Sequence, residues 1–552
     1  MKVKLPELLL STKLLLKPRR NLTIWFSLLA LILVPALACN LPSRQSGGLV
    51  FSTSQPEPSA VDLPFSTSET TLWPTSPVTP TSPPPSLEPG QSTYPFLGLQ
   101  TATPGPNSPG IWLTPDPVVI PPPFTYWSQP GDTLTALAAR FSVSPDQISP
   151  PQPNTGLLLP GQQLTIPNLL GDPPYSSALL PDSAIIYSPL VSGFQIDAYI
   201  NHAGGYLSTY REEVEKDEWL TGFEIVRRVA LESSINPQLL LAFLEFRSGW
   251  VRGQPNDPIQ VDYPIGFYVP DYHGLYLELS LVAKELNIGY YGWRQGTLTE
   301  LTFPDYTHVR ISPGLNTGSV ALETLVSMFY RQQQDWLDAL YGPQGFLALY
   351  AVMFGDPWLA AASVEPLFPP NLVQPTLELP FAPGEYWSLT SGPHIAWRTG
   401  TPRGALDFAP ITGEPPCVVS TAWVTASAPG LVVRSARGVV ALDLDGDGLE
   451  QTGWVLVYMH VAEQDRVPLG TWVETNTRLG HPSCEGGQAT GTHVHLARKY
   501  NGEWLAADGP LPMVLSGWVA HAGELSYEGT LEKDGRIASA HPDGSSGSTI
   551  VR

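Results

Sequence analysis

The sequence predicts a multidomain protein with a small compact module, a mainly α-helical middle domain and an antiparallel all-β domain at the C-terminus. Three observations support this. Prolines concentrate early, with 19 of the 60 lying within residues 56–123. Apolar residues then recur at helical spacing across residues 185–370, and alternating strand-like segments with turn signals follow. At 552 residues the chain is long enough for three or four domains.

The first 39 residues are expected to form an export signal. Lysines and arginines precede an apolar run at residues 22–37, and small residues then lead to Cys39. This pattern resembles a bacterial lipoprotein signal peptide, which predicts lipidation of Cys39. An uncleaved membrane anchor is the alternative, because the run is nearly long enough to span a bilayer. Both interpretations attach the chain to a membrane and place the rest of it outside the cytoplasm, at the cell surface.

Residues 40–123 are rich in Ser, Thr, Pro and Gly. Such a segment cannot bury enough apolar surface to fold, so we expect a disordered and extended linker. The chain carries a net charge of −21, which argues against a nucleic-acid partner because two polyanions repel each other.

Residues 124–168 read as a compact module. The letters GDTL are followed by a short amphipathic helix, then by VS and a later Ile, and finally by LLPGQQLTIP. This order and spacing resemble a LysM domain, a small α+β module with the order βααβ. The resemblance implies binding to the glycan of peptidoglycan. A LysM-like fold that has lost its sugar groove stays open as the alternative.

Residues 185–370 read mainly as helices, with Asn236 as an N-cap and Pro237 at the first helical position. The stretch INPQLLLAFLEFRSGW is similar to a helix of lysozyme-like lytic transglycosylases, in which the catalytic glutamate immediately precedes the serine. Here Arg247 precedes Ser248, and Glu245 stands two residues earlier, a rotation of about 200° around a helix. We therefore expect a lysozyme-like domain that is not catalytic, with glycan cleavage by Glu245 as the minority alternative.

Residues 380–525 are expected to form the antiparallel β domain, and residues 526–552 a C-terminal tail without a usable motif. Residues 432–443 and 454–460 read as paired strands around an acidic, glycine-rich turn. Residues 493–499 and 504–506 flank Asn501-Gly502, a strong hairpin signal. The acidic turn imitates the start of a calcium loop, but Trp454 stands where that loop needs a carboxylate, so a hairpin turn is favoured.

Histidines concentrate in this last third, with six of the ten lying between His394 and His521. His493 and His495 are separated by one residue and would project to the same face of a strand. Histidines and an aspartate are typical zinc ligands, although a His-x-His pair alone is weak evidence. If Cys39 carries lipid, Cys417 and Cys484 remain, which predicts one disulfide, with two unpaired thiols as the alternative.

The wider pattern of this third resembles the lysostaphin-type (LytM-like) zinc endopeptidases of peptidoglycan. The segments that carry the resemblance are, in order, Gly392-Pro393-His394, Leu406-Asp407-Phe408, Val457 to His460 and Gly491 to His495. Most of that family has a histidine four residues before the aspartate, where this chain has Arg403. The longer spacing from His394 fits the beta-lytic endopeptidase branch.

The resemblance implies that Zn²⁺ is bound by His394, Asp407 and His495, with His460 and His493 as catalytic residues that are not ligands. Some relatives also use a tyrosine at the oxyanion, and no position in this sequence can be assigned to it. The predicted function is therefore a surface-anchored zinc endopeptidase that cleaves peptide bonds of peptidoglycan and is targeted to the cell wall by its LysM domain. The alternative is a non-catalytic LysM/LytM-like regulator that activates a separate hydrolase.

Overall fold

The computed structural model describes residues 121–153, 156–171 and 177–552. The expected signal peptide, its Cys39 and the expected linker as far as residue 120 lie outside the described residues. In the part of the chain that is described, no helix combines the length and the apolar character needed to cross a membrane.

The N-terminal module places two short strands side by side, with one helix between them in the chain. The elements are β1 (Phe124–Trp127), α1 (Leu134–Phe141), a 3₁₀ turn (Pro145–Gln147) and β2 (Gln163–Ile166). Strands β1 and β2 pair antiparallel, and the Thr133 side chain caps α1 by accepting a hydrogen bond from the backbone N–H of Ala136. Among the described residues of this module, a 3₁₀ turn stands where the resemblance implies a second helix, because Pro150 and Pro151 follow closely and prolines cannot continue a helix.

The middle domain is mainly helical, as predicted. Its helices are α2 (Asp182–Ile185), α3 (Ile196–Ala203), α4 (Gly222–Ser233), α5 (Pro237–Ser248), α6 (Ile259–Asp262), α7 (Leu275–Gln295), α8 (Thr317–Ser327), α9 (Gln333–Tyr341), α10 (Phe346–Phe354) and α11 (Pro357–Ala361). Two small hairpins accompany them, formed by β3 (Arg211–Glu215) with β4 (Glu218–Thr221) and by β5 (Glu300–Thr302) with β6 (His308–Arg310). Helix α5 begins as the sequence indicates, with the Asn236 side chain accepting a hydrogen bond from the Gln238 N–H at 2.8 Å.

The C-terminal domain is built on antiparallel strands. They are β7 (Tyr386–Ile395), β8 (Arg403–Pro410), β9 (Val424–Thr425), β10 (Gly430–Ala436), β11 (Val439–Asp443), β12 (Trp454–Met459), β13 (Trp472–Val473), β14 (Arg478–Gly480), β15 (Val494–Tyr500), β16 (Glu503–Trp504), β17 (Val514–Leu515), β18 (Trp518–Ala522), β19 (Gly529–Lys533), β20 (Arg536–Ser539) and β21 (Thr549–Val551). The main sheet has nine strands in the order β13-β10-β11-β12-β15-β8-β7-β21, with β16 paired to β15. A second sheet has the order β17-β18-β19-β20.

The two faces of the main sheet have different neighbours. Along β15, Val494 and Leu496 pack into a core formed within the C-terminal domain, whereas Ala497 packs into the core of the helical domain. His495 lies on the same face as Ala497, because side chains alternate along a strand. The helical domain therefore covers part of the sheet face on which His495 projects.

Three regions of the chain meet at Arg294, near the end of α7. Its guanidinium donates to the Pro130 carbonyl of the N-terminal module and, at 3.3 Å, to the Asp182 carboxylate of the helical domain. It also donates to both carboxylate oxygens of Glu503 in the C-terminal domain, at 3.0 and 2.9 Å. One nearly buried side chain thus joins all three described parts.

The structure corrects two expectations about the C-terminal domain. Residues 526–552, expected to be a tail, contain β19, β20 and β21, and β21 pairs with β7 at the edge of the main sheet. The segment expected to form one strand at residues 432–443 is two strands, β10 and β11, joined by a tight turn. Arg437 and Gly438 have φ values of 48° and 71°, and two successive positive φ angles reverse an antiparallel hairpin.

The acidic segment after β11 forms the turn that leads to β12. The buried Asp443 carboxylate accepts hydrogen bonds from the backbone N–H groups of Asp445, Gly446 and Gly448, so this side chain shapes the turn. The Asn501-Gly502 hairpin between β15 and β16 forms where the sequence indicates it.

Candidate metal centre

Three neighbouring strands bring the candidate ligands together. His394 lies near the end of β7, Asp407 lies on β8, and His495 lies on β15. His495 stands directly opposite Asp407 in the β8–β15 pairing. The β7–β8 register shifts at residues 391–394, and this irregularity accompanies the approach of His394 to the other two side chains.

The facing atoms are spaced as ligands of one metal ion would be. His394 Nε2 lies 3.0 Å from His495 Nδ1 and 3.3 Å from Asp407 Oδ1, and His495 Nδ1 lies 3.2 Å from Asp407 Oδ1. Ligands ~2.0 Å from a tetrahedral ion are separated from one another by ~3.3 Å. In addition, Asp407 Oδ1 is buried and has no hydrogen-bond partner among the described residues. A buried carboxylate oxygen without a partner is costly, and a cation would satisfy it.

The backbone fixes which nitrogen of each ligand histidine is free. His394 Nδ1 lies 2.9 Å from the Gly392 carbonyl oxygen, and His495 Nε2 lies 3.0 Å from the Ala396 carbonyl oxygen. A carbonyl oxygen only accepts, so both of these nitrogens carry the proton. The lone pairs of His394 Nε2 and His495 Nδ1 therefore point into the centre, as metal ligation requires.

Two further histidines border the centre. His460 follows β12 with a positive φ of 63°, and its Nδ1 donates to the Glu485 carbonyl at 2.8 Å. His493 Nδ1 donates to the Gly491 carbonyl at 2.7 Å. The two rings are 4.5 Å apart between centroids, and His493 Nε2 lies 3.7 Å from Asp407 Oδ2. In the neutral tautomer that these bonds select, Nε2 is the nitrogen without a proton in both rings.

The electrostatics of the centre follow from burial and from the histidines. Burial, with a smaller contribution from His493 and His495, lowers the pKa of His460 to about 3. Burial opposes ionisation of Asp407, but His394 and His493 outweigh it and hold the pKa of that carboxyl well below its usual range. The site therefore contains a carboxylate anion and a neutral His460.

The expected disulfide is present between Cys417 and Cys484. It joins the segment after β8 to the segment before β15, both of which lead directly to candidate site residues. The residues that the sequence predicts for this centre lie in one cluster: His394, Asp407, His460, His493 and His495.

Sequence reasoning missed Tyr527, which lies in the region expected to be a tail. Its ring stacks on His394, with centroids 4.7 Å apart and planes 21° apart, and its backbone oxygen accepts from the Gly392 N–H at 2.8 Å. No local signal in the sequence marks this contact, because it joins residues distant along the chain. The aromatic side chain on a glycine-flanked turn between β18 and β19 was the one available hint.

Glu245 lies outside this centre. Its carboxylate accepts hydrogen bonds from the backbone N–H groups of Val251 and Arg252, at 3.0 Å each, and from the Arg252 side chain at 3.1 Å. These contacts stabilise the turn after α5, so Glu245 has a structural role at this position.

Comparisons with known proteins relate both large domains to proteases. A family profile described as "LasA, N-terminal domain" matches residues 178–369, which cover the helical domain. Protease LasA of Pseudomonas aeruginosa is 27% identical over 370 residues, which are 62% of this chain and 78% of that protein. Beta-lytic metalloendopeptidase of Achromobacter lyticus is 29% identical over 160 residues, which are 28% of this chain and 40% of that protein.

Two solved peptidase structures are similar to parts of this chain. The M23 metalloprotease pseudoalterin, from a deep-sea source, is 26% identical, covers 30% of this chain and 96% of its own, and has a TM-score of 0.26. The catalytic domain of lysostaphin from Staphylococcus simulans is 21% identical, covers 22% of this chain and 87% of its own, and has a TM-score of 0.17.

Proposed function

We propose that this protein is a zinc metalloendopeptidase that hydrolyses peptide bonds of bacterial peptidoglycan. The observation that carries the proposal is the convergence of His394 Nε2, Asp407 Oδ1 and His495 Nδ1 at 3.0–3.3 Å from one another. Two imidazole nitrogens and one carboxylate oxygen are a donor set that suits Zn²⁺, and three protein ligands leave a fourth position for water.

Bound zinc would polarise the scissile carbonyl and lower the pKa of a water molecule. The residues of the chain supply the rest of the chemistry. His460 and His493 bond to the backbone through Nδ1, so their Nε2 atoms remain to accept a proton from the attacking water and return it to the leaving amine. Tyr527 lies against His394, which makes its hydroxyl the candidate donor to the oxyanion that the resemblance implies.

The relatives support a peptide substrate, since their names describe a protease and a beta-lytic metalloendopeptidase. We propose stem or bridge peptides of peptidoglycan, with glycine near the cut, as the substrate class. The module at residues 124–168 would bind the glycan as a LysM domain. Holding a catalyst on its insoluble polymer raises the effective concentration of the scissile bonds.

Anchoring at the cell surface through lipid on Cys39 completes the proposal. The disulfide between Cys417 and Cys484 is consistent with an oxidising compartment outside the cytoplasm. The lipoprotein and LysM assignments can be tested by metabolic labelling with a fatty-acid analogue and by peptidoglycan pull-down of the protein.

The central test measures zinc content and peptidoglycan hydrolysis by the full-length protein. Wild type should bind about one zinc per chain and release new amino termini. The His495→Ala variant should lose both properties, whereas His541→Ala, which changes an exposed histidine in a loop of the same domain, should keep both. Substrates with glycine-containing and glycine-free cross-bridges would define the bond that is cut.

Other outcomes of the same test are informative. A wild-type protein that binds no zinc and releases no amino termini would favour the alternative, a non-catalytic regulator of a separate hydrolase. Retention of activity in His495→Ala would remove this histidine from the proposed ligand set.

A further inference from the structure

We propose that the backbone of residues 484–491 positions the two catalytic histidines, His460 and His493. Cys484 and Glu485 act as positioning residues, because their side chains hold this loop in place. The inference rests on the proposed function and adds a part of the chain that contributes no ligand. We name residues 484–491 the clamp loop.

The clamp loop holds both histidines through peptide oxygens. Glu485 contributes the carbonyl that accepts from His460 Nδ1 at 2.8 Å, and Gly491 contributes the carbonyl that accepts from His493 Nδ1 at 2.7 Å. Each bond fixes one tautomer and limits rotation of the ring, so that Nε2 is the atom presented to the reacting water. Since the acceptors are backbone atoms, their positions depend on the path of the loop and not on the identity of a side chain.

The composition of the clamp loop makes external anchors necessary. Gly486, Gly487 and Gly491 lie within or at the end of the loop, and glycine is the residue with the greatest backbone freedom. A loop of this kind keeps its carbonyl oxygens in place only where other groups restrain it.

The first anchor is the disulfide, which bonds Cys484 at the start of the loop to Cys417. The second is the Glu485 carboxylate, which accepts from the Glu463 N–H at 2.8 Å, so the residue that supplies the carbonyl for His460 is also fixed by its own side chain. Immediately before the loop, Ser483 donates to the His460 carbonyl through its backbone N–H at 2.7 Å and its hydroxyl at 3.0 Å.

The metal ligands lie outside the clamp loop. His394, Asp407 and His495 are placed by strands β7, β8 and β15, whose pairing the loop does not form. Loosening the loop should therefore disturb proton transfer while metal binding and substrate binding remain. This separation distinguishes a positioning role from a general contribution to folding.

The test compares full-length variants in kcat, KM, zinc content and thermal stability. Glu485→Ala removes one anchor and keeps the disulfide, Glu485→Gln keeps an oxygen that can accept from Glu463 N–H, and the Cys417→Ala/Cys484→Ala double variant removes the other anchor. Asp305→Ala is the matched control, since the Asp305 carboxylate also accepts from a turn N–H, that of Thr307 at 2.9 Å, but lies in the helical domain.

We expect Glu485→Ala and the double cysteine variant to lower kcat by about 10- to 100-fold, the scale on which small misplacements of catalytic groups act. KM should stay within about twofold and zinc should stay at about one per chain, the pattern of an interaction used in the transition state. Glu485→Gln should recover most of the kcat that Glu485→Ala loses, and Asp305→Ala should match wild type.

Unchanged kcat in Glu485→Ala, or equal losses in Glu485→Ala and Glu485→Gln, would overturn the clamp. Zinc content that falls in parallel with kcat would also overturn it, since the loop would then support the metal centre itself. If the double cysteine variant does not fold, the comparison of Glu485→Ala with Glu485→Gln still tests the proposal, because both of these variants keep the disulfide. A wild type that binds zinc without cleaving peptidoglycan would instead count against the proposed function.

Discussion

His394 Nε2 and His495 Nδ1 face each other at 3.0 Å, and both are lone-pair nitrogens because the other nitrogen of each ring donates to a backbone carbonyl. When both rings are neutral, their facing lone pairs repel, and the nearby Asp407 Oδ1 adds negative charge and has no hydrogen-bond partner among the described residues. The arrangement is stable when a cation lies among the three atoms, so metal binding should also stabilise the fold.

Removal of metal should lower the thermal stability of the C-terminal domain. A ligand that binds only the folded state stabilises it by about 4 kcal/mol when present at a thousandfold excess over its Kd. Calorimetry with and without a chelator should show a lower Tm after chelation and recovery when zinc is restored. The His495→Ala variant should respond weakly to the chelator, and an equal response in this variant would place the stabilising metal elsewhere.

Tyr527→Phe should lower kcat while zinc content stays at the wild-type level. The substitution keeps the ring that stacks on His394 and removes only the hydroxyl. Loss of one oxyanion donor typically costs about 10²- to 10³-fold in kcat. Steady-state kinetics with a soluble peptide substrate would measure the effect. Tyr386→Phe, at an exposed tyrosine on β7, is the matched control, and a similar loss in both variants would contradict a specific role for Tyr527.

Arg294→Met should destabilise the protein by about 3–5 kcal/mol, the usual cost of leaving a buried charge without its partner. The buried Glu503 would lose both of its bonds to Arg294, and burial already raises the pKa of Glu503. Urea unfolding would measure the change. The double variant Arg294→Met/Glu503→Gln should recover part of the lost free energy of unfolding, because burial of a neutral amide costs less free energy than burial of a carboxylate. No recovery would show that the packing of Arg294, and not its charge, matters most.

Glu323→Gln should increase stability at high pH. Glu323 lies on α8 with 4% of its surface exposed, and burial alone raises its pKa from the ordinary 4.5 to about 8. The folded state therefore binds the proton more tightly than the unfolded state, and stability falls as pH rises from about 4.5 towards about 8. Thermal unfolding at pH 5 and pH 9 should show a smaller difference between the two pH values for the variant. Equal pH dependence would refute burial of an ionisable Glu323.

Glu245→Gln should leave peptidoglycan hydrolysis unchanged and reduce stability by about 1–2 kcal/mol, because the carboxylate holds two backbone N–H groups and Arg252. Release of amino termini and of reducing sugars should be measured together with chemical unfolding. Loss of reducing-sugar release in this variant would support the alternative hypothesis, in which the helical domain cleaves glycan through Glu245.

Local signals predicted local structure well. Asn236 and Pro237 marked the start of α5, and Asn501-Gly502 marked the β15–β16 hairpin, because caps and tight turns depend on a few adjacent residues. The Arg437-Gly438 turn was missed, since an arginine with positive φ is not a usual hairpin signal.

Contacts between distant parts of the chain were harder to predict. The cluster of His394, Asp407 and His495 was expected through a family resemblance, whereas its spacing depends on the pairing of β7, β8 and β15. Tyr527 and β21 were missed because their partners are far away in sequence, and short strands with few apolar residues give weak periodicity. The contacts of Arg294 with three regions had no sequence signal either.

The pairing of β21 with β7 has a consequence for biosynthesis. Strand β7 carries His394 and has β8 on one side, while residues 549–551 supply its neighbour on the other side. The ribosome must therefore synthesise residues 549–551 before this strand gains its second partner. A nascent chain that has not reached these residues would leave β7, the strand of His394, as an edge strand of the main sheet.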